Sequence, residues 1–88
     1  NYGDTGLIYA CYSGYENIVS LLLPHKDINV NIKGKYGVTG LIIACKNGHT
    51  NIVSLLLQHK DINVNIKNMN GRTGLISACD SGYENIVS

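Results

Sequence analysis

The stretch Tyr36–Met69, YGVTGLIIACKNGHTNIVSLLLQHKDINVNIKNM, decides how this chain folds. The 34 residues before it, Tyr2–Lys35, are identical to it at 25 positions. A third copy begins at Asn70, matches the first at 15 of 19 residues and reaches Ser88. A fixed period of this length is typical of stacked-repeat proteins, in which each unit buries its apolar face against its neighbours. The sequence therefore predicts one array over residues 1–88, with unit one at 2–35, unit two at 36–69 and a partial unit three at 70–88.

Composition excludes several classes of protein. The chain has 88 residues and a net charge of +1, which argues against a general nucleic-acid binder. It contains no run of about 18 apolar residues, so the sequence predicts no membrane span. Unit three stops where the other copies continue with three leucines. Because a stable array needs about three units, we expect neighbouring repeats from a longer chain.

The three cysteines occupy one position in three units, since Cys11, Cys45 and Cys79 are 34 residues apart. Stacked helices lie about 8–10 Å apart, whereas a disulfide needs Cα atoms within about 7 Å. We therefore expect unpaired, buried thiols that fill small apolar sites; a reactive or metal-bound thiol is the alternative. Unpaired thiols are typical of a reducing compartment, which predicts an intracellular, cytoplasmic protein.

The first half of each unit has the pattern of a short helix. In unit two, Thr39 can cap its N-terminus by accepting a hydrogen bond from a free backbone N–H group. Leu41, Ala44 and Cys45 follow at the spacing of one buried helix face. Gly48 is suited to end the helix in the left-handed conformation. Gly14 and Gly82 are expected to do the same in the other copies.

A second helix is predicted to begin around His49–Asn51 and to end near Gln58–Lys60. Its polar outer face contains Asn51 and Ser54, which are the same in every copy. Its apolar face comprises Ile52, Leu55 and Leu56, widened by Val53 and Leu57.

One difference between the copies predicts a difference in helix length. Pro24 stands where unit two has Gln58. Because proline lacks a backbone N–H group and clashes with the preceding turn, we expect the second helix of unit one to end or kink about Leu23. The same helix in unit two is expected to run further.

The last part of each unit predicts an extended finger. Residues 61–66 alternate between polar and apolar side chains, which indicates an extended segment with one packed face. Lys67–Gly71 then reads as a turn, and the Asn-Gly pair is its strongest signal.

The order T-G-L-I-x-A-C-x-x-G-[YH]-x-N-I-V-S-L-L-L…D-I-N-V-N resembles the ankyrin repeat, G-x-T-P-L-H-x-A-A-x-x-G-H-x-x-I-V-x-L-L-L-x-x-G-A-D-V-N. The resemblance covers the whole chain. It implies an all-α ankyrin-repeat solenoid of stacked helix-turn-helix units with β-turn fingers. The family positions matched in unit two are Gly37, Thr39, Leu41, Ala44, Gly48, His49, Ile52, Val53, Leu56, Leu57 and Asn65.

Three departures from the family pattern recur in all copies. In unit two they are Gly40 for the family's proline, Ile42 for its histidine and Cys45 for its second alanine. The glycine is expected to cost about 0.5–1 kcal/mol relative to a better helix former. The isoleucine is expected to replace a hydrogen bond of the family with apolar packing.

Positions that differ between copies indicate where a partner could bind. In the first helix these are Tyr9, Tyr12 and Ser13, then Ile43, Lys46 and Asn47, then Ser77, Asp80 and Ser81, each trio on one helix face. The finger tips differ as well: Asn1, Tyr2 and Asp4, then Lys35, Tyr36 and Val38, then Met69, Asn70 and Arg72. The predicted partner-binding residues are Tyr2, Asp4, Tyr9, Tyr12, Lys35, Tyr36, Lys46, Met69, Arg72 and Asp80.

Drift of an unused surface would also produce such differences. However, Asn51 and Ser54 on the second helix keep their identity in every copy although they are expected to be exposed. Tyrosine is enriched in protein-binding surfaces, and four of the six tyrosines fall in the variable set. Tyr15 and Tyr83 take the histidine position of the family pattern, and for them we predict a structural role.

No constellation for catalysis is evident. His25 and His59 are expected to be exposed at the end of the second helix, while His49 matches a structural histidine of the family. No Cys/His pair has zinc-ligand spacing, phosphate-binding glycine loops are absent, and the carboxylates are scattered. We therefore predict a non-enzymatic module without metal or cofactor that binds a partner protein through a concave groove and the finger tips. A structural spacer within a longer repeat protein is the alternative.

Overall fold

The computed structural model describes the backbone of residues 2–76 and the side chains of residues 5–76. This part of the chain contains the α-helices α1 (Tyr2–Ser13), α2 (Glu16–Leu22), α3 (Gly40–Asn47) and α4 (Thr50–Leu57), a 3-10 turn at Lys35–Gly37 and helical residues at 74–76. Helix α1 contacts α3 and α2 contacts α4, so the first helices form one layer and the second helices another. Residues 2–76 contain no β-strand, and the predicted all-α class is confirmed.

The core lies between the two layers and continues from unit one into unit two. The predicted stripe is buried, with Leu41, Ala44 and Cys45 exposed by 5%, 0% and 2%. Leu56 of α4 is fully buried as expected, and Leu23, the unit-one counterpart of Leu57, is 9% exposed, whereas Leu57 itself is 49% exposed. Leu57 instead lines an apolar cleft on the side of unit two that faces the start of unit three.

The predicted helix ends are confirmed within the described residues. The Thr39 hydroxyl oxygen accepts a hydrogen bond from the Ile42 amide at 3.2 Å. Gly14 and Gly48 adopt left-handed φ values of 80° and 73° after α1 and α3. Gly82 lies outside the described residues.

Pro24 shortens α2 as predicted. Helix α2 ends at Leu22, whereas α4 continues to Leu57, the counterpart of Leu23. The cause is local, because proline has no backbone N–H group to extend the helical hydrogen bonds.

The first helix of unit one is longer than expected. Helix α1 begins at Tyr2, three residues before Thr5, the counterpart of the Thr39 cap. The prediction that Tyr2 and Asp4 lie in a finger is therefore wrong. At the junction of units one and two, by contrast, the Gly34 amide donates to the Val38 carbonyl at 2.8 Å and closes the finger. The backbone of Tyr2–Asp4 forms helical turns instead.

Residues 61–66 form consecutive turns rather than the predicted extended segment. The Ile62 amide donates to the His59 carbonyl, and the Asn65 amide donates to Asn63 Oδ1 at 3.0 Å. Asparagine side chains often accept from the amide two residues later, which favours a turn over an extended strand. The turn that follows is confirmed, since the Asn68 amide donates to the Arg72 carbonyl at 2.9 Å.

Polar contacts join the two units along the edge formed by the second helices and the turns. Asn31 donates to the Asp61 carbonyl and accepts from the Asn63 amide, both at 2.8 Å. His59 Nε2 lies 3.2 Å from the Leu23 carbonyl. His59 is therefore partly buried, and its predicted exposure is wrong because unit one supplies this carbonyl. His25 is exposed as predicted.

The cysteine and glycine departures fit together in space. Cys11 and Cys45 are unpaired and buried, as predicted; Cys79 lies outside the described residues. A Cβ atom built on Gly40 would lie 3.0 Å from the Cys11 sulfur, and one built on Gly74 would lie 3.2 Å from the Cys45 sulfur. The glycine of one unit thus accommodates the larger cysteine of the unit before it, a reason for glycine that the sequence alone did not reveal.

Candidate binding groove

A cleft of about 690 Å³ runs between the exposed faces of α1 and α3 and the finger of unit two. We call it the groove. Its lining residues come from α1, from residues 32–38 and from α3, and they are Thr5, Ile8, Tyr9, Tyr12, Ile32, Lys33, Gly34, Lys35, Tyr36, Val38, Ile43 and Lys46. Five predicted partner-binding residues meet here: Tyr9, Tyr12, Lys35, Tyr36 and Lys46.

Three tyrosines give the groove an aromatic surface. Tyr9, Tyr12 and Tyr36 are 62%, 59% and 70% exposed. The Tyr9 ring packs edge-on against Tyr15, with ring centroids 6.1 Å apart and planes at 63°. Edge-to-face pairs of this kind are favourable, so Tyr15 supports one of the groove rings.

Lysines supply the charge of the groove. Lys33, Lys35 and Lys46 line it, whereas the carboxylates whose side chains are described, Glu16 and two aspartates, do not. Lys33 was missed by the comparison of copies because unit two has the same residue at the equivalent position, Lys67. Its place next to the variable finger was the only signal available.

Tyr36 stands at the finger tip in an unusual backbone conformation. Its φ of 61° and ψ of 21° lie in the left-handed region, where it is the only residue other than glycine between 2 and 76. This conformation costs a non-glycine residue free energy, and such residues cluster at functional sites. The finger therefore projects the Tyr36 ring at a cost to stability.

Contacts between the units hold α1 and α3 in place below the groove. Asn47 Nδ2 donates to the Tyr12 carbonyl at 3.2 Å, and His49 Nε2 lies 3.1 Å from the same oxygen. The His49 ring also packs on Gly14, where a Cβ atom would lie 2.9 Å from its Cε1 atom. Asn47 thus belongs to the variable set but fixes the helix register, and His49 has the structural role predicted for it.

The remaining predicted residues do not line the groove. Met69 is 74% exposed and Arg72 is exposed in the next finger, which is joined to the first by a 2.9 Å hydrogen bond from the Met69 amide to the Tyr36 carbonyl. The side chains of Tyr2 and Asp4 and the whole of Asp80 lie outside the described residues.

The described residues carry no arrangement suited to catalysis or metal binding. Between 5 and 76 there is no group of three or more His, Cys, Asp and Glu side chains that could hold a metal ion. Burial raises the pKa of the Cys11 thiol from 9.0 to about 12 and that of Cys45 to about 11. Both thiols are therefore protonated and inaccessible at neutral pH, which removes the reactive-thiol alternative for them.

No helix between residues 2 and 76 has both the length and the apolar character needed to cross a membrane.

Comparisons with known proteins agree with this architecture. The family description "Ankyrin repeats (3 copies)" matches residues 7–88. No protein with a curated description matches the sequence significantly. Among solved structures, the chain resembles a chain from the complex of the predatory endopeptidase Bd0816 of Bdellovibrio bacteriovorus with the immunity protein Bd3460. The TM-score is 0.82 and the identity 30%, over 92% of this chain but 42% of that one.

The matched chain in that complex is the ankyrin-repeat immunity protein, which is held against a protein partner. The present chain spans less than half of its length. The chain described here belongs to the ankyrin repeat family, whose members are generally non-catalytic protein–protein interaction modules.

Proposed function

We propose that this chain is a non-catalytic module that binds a segment of a partner protein in the groove, with the neighbouring finger tip extending the contact. One observation carries the proposal. Five of the ten residues that differ between copies and were selected from the sequence converge on a single cleft of about 690 Å³. Equivalent positions of stacked units are neighbours in space, so these residues form one continuous surface that a ligand can contact.

The chemistry of the groove supports binding of a protein. Exposed tyrosines offer a large contact area with little conformational entropy to lose, and they are frequent among residues that dominate binding energy. Apolar side chains of Ile8, Val38 and Ile43 line the same cleft as the tyrosines and the lysines. Such a mixed surface is typical of protein interfaces rather than of small-molecule sites, which are more enclosed.

The similarity to the immunity protein supports a protein as the class of ligand. That protein is in complex with an endopeptidase, and its 30% identity to this chain is compatible with a different partner. The partner-binding roles of Tyr2, Asp4, Met69, Arg72 and Asp80, the unit boundaries and the cytoplasmic location remain predictions.

An affinity capture with matched variants tests the proposal. The full chain, a groove variant Tyr9→Ala/Tyr12→Ala/Lys46→Ala and an outer-face variant Asn17→Ala/Ser20→Ala/Ser54→Ala are immobilised and exposed to lysate of cells that make the protein. The outer-face residues are exposed on α2 and α4, away from the groove. Circular dichroism must first show that all three fold equally well.

We expect proteins captured by the full chain to be retained by the outer-face variant and lost by the groove variant. Identical capture by all three proteins would overturn the groove proposal. It would favour the structural spacer, whose surfaces need no partner of their own.

A further inference from the structure

We infer that the groove selects an acidic segment of its partner protein, in which carboxylates alternate with apolar or aromatic side chains. The inference rests on the proposed function and adds the chemistry of the ligand. It is carried by the distribution of charge, which is nearly balanced over the chain but of one sign among the described residues that line the groove.

The described charged residues that line this cleft are all lysines. The chain has seven Lys and Arg residues against six Asp and Glu residues, a net charge of +1. Three of the six lysines, Lys33, Lys35 and Lys46, line the groove, and no carboxylate is among its described lining residues; the side chains of Asp4 and Asp80 lie outside the described part of the chain. The described carboxylates lie elsewhere; Glu16, for instance, accepts from Asn51 Nδ2 at 3.0 Å on the second-helix side.

The three lysines approach the groove from different elements. Lys33 and Lys35 flank Gly34 in the finger, and Lys46 projects from the last turn of α3. Within the described residues none of them is engaged in an ion pair. A ligand that lies along the groove can therefore meet ammonium groups on two sides, and complementary charge there favours both the encounter and the register of an acidic ligand.

Apolar and aromatic side chains line the groove together with these charges. Tyr9 and Tyr12 lie on α1, Ile43 lies three residues before Lys46 on α3, and Tyr36 lies in the finger. The groove thus combines apolar and aromatic surface with cations. This arrangement fits side chains that alternate between acidic and apolar, whereas a uniformly acidic ligand such as a polyphosphate leaves the tyrosines unused.

The test is a selection of peptides on the full chain. A display library of random 12-residue peptides is selected in parallel on the full chain, on the variant Lys33→Gln/Lys35→Gln/Lys46→Gln and on the control Lys26→Gln/Lys60→Gln/Lys67→Gln. The two variants carry the same net charge, but the control removes lysines that lie outside the groove. A difference between the peptides that they select therefore depends on where the lysines lie and not on the total charge of the protein.

We expect the full chain and the control to enrich peptides rich in Asp and Glu, and the groove variant to lose that enrichment. The best peptide, measured by fluorescence anisotropy, is expected to bind the groove variant at least tenfold more weakly and the control less than threefold more weakly. Replacing its Asp and Glu residues with Asn and Gln should weaken binding to the full chain by a similar factor. Raising the salt concentration from 50 to 500 mM should act in the same direction, because exposed charges are screened.

Each other outcome contradicts a different claim. Peptides without acidic enrichment that lose binding in the Tyr9→Ala/Tyr12→Ala variant would overturn the acidic preference and leave the groove as the binding site. If both lysine variants bound the acidic peptides equally more weakly than the full chain does, the peptides would be held by diffuse attraction to the net charge and not by the groove. If no selected peptide depends on the groove residues, both this inference and the proposed function are wrong.

Discussion

Helices α1 and α3 each have an inward face that is buried and the same in both units, and an outward face that differs between them. The inward stripe of α3, Leu41, Ala44 and Cys45, is identical in unit one and buried in both copies. The outward positions are exposed and differ, as Tyr12 and its counterpart Lys46 show. The comparison teaches that stacking restricts only one face of each helix, since a neighbouring unit must fit against it. The other face is free to specify a ligand.

The largest expected effect on stability comes from removing a buried side chain of the core. Leu56→Ala removes a fully buried side chain from α4 and should lower the free energy of unfolding by about 2–5 kcal/mol. In so short an array this loss should unfold the protein at room temperature, as measured by circular dichroism and thermal unfolding.

Lys46→Ala is the matched change on the outward face. Because Lys46 is exposed, its replacement should change the free energy of unfolding by less than about 0.5 kcal/mol. If Leu56→Ala unfolded at the same temperature as the parent chain, or Lys46→Ala were strongly destabilising, the assignment of the two faces would be wrong.

Alkaline pH should lower the free energy of unfolding through the two buried cysteines of the inward face, the second-largest expected effect. Folding keeps the two buried thiols protonated, with pKa values of about 12 for Cys11 and 11 for Cys45, whereas the unfolded chain releases these protons above pH 9.0. The unfolded state then binds fewer protons, so the free energy of unfolding falls as pH rises from 9 towards 11. At pH 10 the loss is about 1.4 kcal/mol per thiol.

Urea unfolding at pH 8 and pH 10 measures this loss. The control is the Cys11→Ala/Cys45→Ala variant, which keeps all six tyrosines and should lose distinctly less stability between the two pH values. Equal losses in both proteins would show that the thiols do not contribute.

Gly40→Ala tests the contact between Gly40 of unit two and Cys11 of unit one. The added Cβ atom would lie 3.0 Å from the Cys11 sulfur, so we expect a loss of about 1 kcal/mol despite the better helix propensity of alanine. In a Cys11→Ala background the sulfur is absent, and the same substitution should be neutral or stabilising.

A double-mutant cycle measured by urea unfolding isolates this coupling. Additive effects of the two substitutions would mean that glycine and cysteine do not constrain each other at this position.

Tyr36→Gly should have a small effect on stability and the opposite sign. Glycine adopts the left-handed conformation without a steric penalty, so the substitution should raise the free energy of unfolding by about 0.5–1 kcal/mol. Tyr36→Ala keeps the strain and should give no such gain. Both variants lose the ring, and both should bind groove ligands more weakly, which calorimetry or anisotropy measures. A destabilised Tyr36→Gly variant would contradict the assigned strain.

Most of the fold could be predicted from the repeated pattern. Local rules were sufficient for the Thr39 cap, the glycine at the end of α3 and the shortening caused by Pro24, because each depends on residues close in the chain. Predictions were wrong where a neighbouring unit decides the outcome. His59 is the clearest example, because its ring lies 3.2 Å from the Leu23 carbonyl of unit one and the residue is partly buried.

The groove could be predicted only in part, for a related reason. Variation between copies identified Tyr9 and Tyr12, but it could not identify Lys33, because unit two has the same residue at the equivalent position, Lys67. It also selected Asn47, whose amide group fixes the Tyr12 carbonyl. Differences between copies show which positions tolerate several residue types. A binding surface also includes residues that are the same in every copy and that stacking of the units places beside the variable ones.

The most direct test of the two-face account is a map of backbone amide shifts by nuclear magnetic resonance. A peptide selected on the full chain, without bias towards any surface, is titrated into the labelled protein. The account predicts the largest shifts at Tyr9, Tyr12, Tyr36 and Lys46, with little change at Asn17 and Ser54 on the outer face of α2 and α4. Shifts concentrated on that outer face, with the groove amides unmoved, would contradict it.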